Sequence, residues 1–171
     1  MCARGFDPAT IRDAKFCLEM GEEADSLCEL VREAFANVEL GEGIGLFEGR
    51  AIDDYETAEL RYQHRNKDEK QSWERIQSKH LEACSSSLSF FDALGMRFHL
   101  PAFIIADLQG KYGMGMEFTL TYLTDESCRK FELLNLKQRQ VIIEYLQFIR
   151  KNPESKFHHD DIDYALKNYW K

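Results

Sequence analysis

Arg97 and His99 stand two residues apart in the run MRFHL, a pairing that brings an anion-binding guanidinium beside a group able to move a proton near neutral pH. Asp53, Asp54, Asp92 and Asp107 are the carboxylates that would complete such a site, with His99 as acid or base and Arg97 holding an anionic substrate. The plainer alternative is an arginine and a histidine on a partly covered face, tied by a salt bridge to one of those acids. Ser85, Ser86, Ser87 and Ser89 add hydroxyls nearby, but no GxSxG nucleophile elbow is present, which argues against a serine hydrolase. The densest set of metal-ligating types is His158, His159, Asp160, Asp161 and Asp163. Adjacent histidines diverge, and acids at a helix start are accounted for by capping and the helix dipole, so no metal site is expected there.

The segment GEGIGLFEG, residues 41–49, holds four of the ten glycines. Its spacing is wrong for GxGxxG, no clear buried strand precedes it, and Glu42 and Glu48 would repel a phosphate. No cofactor is expected. Five cysteines (Cys2, Cys17, Cys28, Cys84, Cys128) are an odd number with none at zinc-knuckle or redox spacing, so they read as free thiols buried as small hydrophobes.

These side chains need a scaffold, and 171 residues with 44% hydrophobic content supply one domain's worth of core. Helix formers dominate: only three prolines and three valines occur. Asp7–Pro8 is an N-cap and first-turn signature for a helix ending at Gly21; a second runs from about Glu22 to Asn37, and the two are expected to pair antiparallel. Acids at 53, 54 and 56 suit a short helix, and a helical pattern over 68–84 breaks at Ser78. Asn135 with Gln138 resembles a capping box for a helix whose apolar face carries Ile142, Tyr145, Leu146 and Ile149, closed by Asn152–Pro153. The tail repeats the logic, with Asp160 or Asp161 as cap.

Between residues 85 and 123 the period shifts toward two. SLSFF and MRFHL around the turn at 92–95 read as a hairpin, and EFTLTYL as a third strand. On that reading Phe98 and Phe118 point inward, while Arg97 and His99 share the other face. The expected fold class is α+β: a helix-rich single domain over 1–171 with a small, mostly antiparallel sheet of about three strands, and 153–171 as a C-terminal helical appendage.

The segments LGEGIGLFEGRAIDDY (40–55) and FDALGMRFHLPAF (91–103) resemble an uncharacterised bacterial family of small proteins, a domain of unknown function, over roughly residues 35–149. The resemblance implies a bacterial, cytoplasmic, single-domain protein and carries over no catalytic residue.

A net charge of −8 disfavours nucleic acid as a partner and favours a basic protein surface. No apolar run reaches the roughly 18 residues of a membrane span, and no signal peptide is recognisable, which suits a reducing cytoplasm. Three classes follow: an acidic binding module such as an immunity or inhibitor protein; an enzyme acting on a small anion through Arg97 and His99; and a protein that self-associates through Tyr164, Tyr169 and Trp170. The candidate binding residues are Asp53, Asp54, Arg97, His99 and Asp107.

Overall fold

In a computed structural model that describes residues 7–171, nine α-helices and short 3₁₀ turns build the protein, with no strand among the described residues. The expected α+β fold is therefore replaced by an all-helical one. Cys2 lies outside the described residues; Cys28 and Cys84 are buried free thiols, Cys128 is half-buried and Cys17 is exposed.

Helix α1 (Pro8–Ala34) starts where Asp7 accepts from Ala9 and Thr10, as Asp7–Pro8 predicts. It is a single helix rather than an antiparallel pair. Gly21 lies inside it with open space around it, and a lone glycine costs a helix only about 1 kcal/mol, too little to stop one flanked by good helix formers. Only the stretch from Ala24 onward is buried, against α8 (Leu136–Lys151) and α5 (Ala93–Leu108).

Helix α5 replaces the expected hairpin. Asp92 caps it by accepting from the Gly95 N–H at 2.7 Å, and the helix then runs through Pro101, which removes the bond to the Arg97 carbonyl without ending it. Residues 98–106 are all buried, so α5 is the central helix and has no polar face to mark its period. The alternation in MRFHL is a short accident of that all-round burial. The third expected strand is α6 (Glu117–Thr121), where Leu120 is buried and Phe118 is 69% exposed. Phe98 is fully buried as expected; Phe118 is not.

Before the core helix come α2 (Leu46–Asp53), α3 (Ala58–Arg65) and α4 (Ser78–Ala83). After α6 and α7 (Asp125–Arg129), α8 opens on the Asn135–Gln138 capping box, with bonds of 2.9 and 3.1 Å. Gln138 also donates from Nε2 to the Ala34 carbonyl, fixing the start of α8 to the end of α1. Helix α9 (His159–Ala165) follows a 3₁₀ segment and ends in a π turn, Leu166–Trp170. Ile162, Ala165 and Trp170 are buried in the common core, and the Trp170 indole donates to Leu120 of α6. These bonds fix α6 against the C-terminal segment and set up the space beside α5.

Candidate functional site

The two segments that carry the resemblance meet each other. The Asp92 carboxylate accepts from Ile44 N–H as well as from Gly95, and an added Cβ at Gly95 would sit 2.4 Å from the Ile44 carbonyl oxygen. Asp68 reaches across to the start of α2 and accepts from the N–H groups of Phe47 (2.7 Å) and Glu48 (3.2 Å). A carboxylate of the chain itself thus occupies the place a phosphate would take at a helix N-terminus. Burial pushes Asp68 up to about 6, although those two amides pull it down.

His99 belongs to this junction. It is 1% exposed, donates from Nδ1 to the Gly95 carbonyl at 2.7 Å and stacks on Phe91 with centroids 4.4 Å apart. Burial pushes its pKa down to about 4, so it is neutral at physiological pH and holds the fold. Arg97, two residues earlier on the same helix, is turned to a different side rather than sharing a face with it, as a strand would have required. Its Nε is buried without a hydrogen-bond partner.

Asp53 and Asp54 end α2. Asp53 is half-buried, and exposed Asp54 accepts from Arg50 Nε at 2.7 Å. Arg50 in turn donates to the Ala83 carbonyl, fixing this turn close to Ser85. Next in sequence is Tyr55, 96% exposed and in the left-handed region with φ 55°. From Ser85 a groove of about 440 Å³ runs to Met114, Phe118 and Tyr122. Phe118 and Tyr122 stack with centroids 5.2 Å apart, yet Met114, Phe118 and Tyr122 are 68%, 69% and 58% exposed.

Asp107 occupies a different setting. A cavity of about 440 Å³ opens between the end of α5, the loop before α6, the second half of α8 and the 3₁₀ segment at 153–158. Asp107 lines it, and the fully buried Tyr145 donates its hydroxyl to Asp107 Oδ2. Glu117 lines it from α6, and His158 Nε2 lies 3.7 Å from Glu117 Oε1. Burial pushes Asp107 up to about 6; Tyr145 relieves this and Glu117 adds to it. Burial, then Glu82, Asp107 and Glu117, push Tyr112 up to about 12.

Glu117 and Tyr145 were not singled out as site residues in the sequence. They lie on separate helices, Tyr145 reads as part of an apolar stripe, and no spacing marks either. The run at 158–163 divides: His158 faces Glu117, while Asp163 pairs with Arg150 at 2.5 and 2.8 Å. Among the described residues no three His, Cys, Asp or Glu side chains converge as metal ligands.

The molecule is an all-helical protein with a tightly bonded polar junction, an exposed aromatic groove and a carboxylate-lined cavity. The chain belongs to a family of unknown function (DUF6714), which matches residues 23–171. No curated protein and no solved structure matches it. The first half of α1, with its exposed Ile11, Phe16 and Leu18, precedes the matched region. No helix among the described residues is long and apolar enough to cross a membrane.

Proposed function

We propose that this chain is a protein-binding module of a bacterial cytoplasm, of the immunity or inhibitor kind, that takes a basic partner. The observation that carries the reading is the exposed stack of Phe118 on Tyr122 beside Met114, because large apolar side chains left in solvent together are typical of docking surfaces. The groove itself is lined by Lys130 and no acid, but Arg50 ties Asp54 to the Ala83 carbonyl two residues before the Ser85 end, and this acidic turn with the net charge of −8 supplies the complementary field for lysines and arginines. Asp53 and Asp54 steer the encounter, and the aromatic pair holds the partner.

An enzyme using Arg97 and His99 has less support, since the imidazole is sealed in the core. Of the three tail aromatics Tyr164, Tyr169 and Trp170, Tyr164 is well exposed, Tyr169 is half-buried and Trp170 is buried, which leaves self-association through them less surface to build on.

The test is to capture partners on the immobilised protein and keep those lost with Phe118→Ala but retained by Glu19→Lys, an exposed charge change on the first half of α1, which does not line the groove. Association rates are then followed across a salt series. Asp53→Lys with Asp54→Lys is expected to slow association and flatten its salt dependence. Rates unchanged by that reversal would remove the acidic turn from the interface, and partners indifferent to Phe118→Ala would remove the groove.

A further inference from the structure

We propose that the cavity beside Asp107 binds a small organic cation, a primary ammonium on a short aliphatic chain. Its volume, about 440 Å³, falls within the range of small-molecule sites. Its lining is mostly polar, with the carboxyl groups of Asp107 and Glu117 beside Asn152, Ser155 and His158, and Leu108, Phe148 and Ile149 supply a smaller apolar part. That division matches a ligand with a short hydrocarbon body and a charged end.

The charge balance selects the sign. The groups that face Asp107 are Tyr145 from α8, Glu117 from α6 and Tyr112 from the loop, and the one that acts on it through charge is another carboxylate. His158 lies against Glu117. An anion would add a third negative charge to this space, whereas an ammonium would relieve the repulsion between the two already there. Tyr145 holds Oδ2 of Asp107 and leaves Oδ1 for an incoming N–H. The buried phenol fixes the carboxyl in place, which lowers the entropy lost on binding. A divalent metal fits less well, because among the described residues the carboxylates do not gather in threes.

The geometry also sets the pH response. With Asp107 raised to about 6, the ligand meets an ionised carboxylate above that pH and a protonated one below it. Affinity for an amine should fall as pH drops through about 6.

The probes are n-butylammonium chloride and 1,4-diaminobutane, with n-butanol as the neutral match, followed by amide shifts of Gly110, Gly113 and Gly115. Saturable shifts with the amines and not with butanol are expected. Asp107→Asn should weaken the amine by about tenfold or more with the thermal midpoint retained, and Glu132→Gln, which removes one exposed charge elsewhere, should leave it unchanged. Equal shifts from butanol, or equal weakening by both variants, would show apolar partition or diffuse attraction and overturn the proposal. Saturable calcium binding that displaces the amine would overturn it as well. The groove and the cavity share Met114 and Gly115, so the two readings are separated by their variants: Phe118→Ala should abolish partner capture and spare the amine, and Asp107→Asn should do the reverse.

Discussion

Asp68 and Asp107 are both buried carboxyls raised to about 6, and burial is the largest cause in each. Their surroundings differ. Asp68 sits against the glycine loop at the start of α2, where it accepts two backbone N–H groups and caps that helix. Asp107 lines a cavity, accepts one phenol and faces Glu117. A raised pKa alone therefore does not single out a functional residue. Each faces another carboxylate, Glu48 at Asp68 and Glu117 at Asp107, and what distinguishes them is the rest of the company: two backbone amides and Lys70 offset the repulsion at Asp68, whereas Asp107 has one phenol and no cation acting on it.

The strongest way to break this comparison is to place the same small group in each region. Gly95→Ala puts a methyl 2.4 Å from the Ile44 carbonyl, a backbone atom that cannot rotate away, and this outweighs the better helix propensity of alanine. A loss of about 3 kcal/mol is expected in denaturant unfolding. Gly113→Ala, at the cavity, meets nothing closer than Glu82 Oε1 at 3.5 Å and should change stability by no more than about 0.5 kcal/mol. Equal losses would mean that the junction is no more tightly packed than the cavity edge.

Neutralising each carboxyl gives a second contrast. Asp68→Asn keeps one acceptor oxygen where two are used, and should cost about 1–3 kcal/mol. Asp107→Asn removes a penalised charge and should be neutral or stabilising at pH 7.5. The sign follows from linkage: a carboxyl whose folded pKa exceeds its unfolded 3.8 binds more protons when folded, so stability falls as pH rises through about 6. His99 works the other way, with a folded value near 4 against 6.5, losing stability as pH falls between those values. Unfolding free energies at pH 7.5 and 5 should therefore show Asp107→Asn gaining less on acidification than the wild type, by about 1–2 kcal/mol. An identical pH response in the two proteins would place Asp107 in ordinary solvent.

Local signals in the sequence were legible where the physics is local. Asp7–Pro8, Asn135 with Gln138, and Asn152–Pro153 mark helix ends because capping is decided within four residues. The sheet was misread for a non-local reason: α5 is surrounded by protein, so Met96, Phe98 and Leu100 alternate with Arg97 and His99 without a strand to explain it. Asp107 was legible as a candidate acid. Its partners were not, because Glu117, Tyr145 and His158 come from three other segments and meet only through the packing of α6, α8 and the C-terminal turn. Tyr145 shows the difficulty plainly, since its ring fills the apolar stripe while its hydroxyl reaches the site.

The smallest expected effect concerns the far end of α2, where the tight fit of the junction stops. Glu56 N–H bonds to the Ala51 carbonyl and Tyr55 N–H to that of Ile52, which is a Schellman ending with tyrosine at the position glycine usually fills. At φ 55° an L side chain costs about 1 kcal/mol, and a ring that is 96% exposed regains almost nothing by packing. Tyr55→Gly should therefore raise stability by up to about 1 kcal/mol, a rise of roughly 2–4 °C in Tm for a chain of this size. If the tyrosine is retained for contact with a partner beside Asp53 and Asp54, the same variant should bind that partner more weakly while melting later. Unchanged partner affinity in a stabilised Tyr55→Gly protein would confine the interface to the Phe118–Tyr122 groove. A lower Tm would show instead that Tyr55 contributes to the end of α2 in a way its exposure conceals.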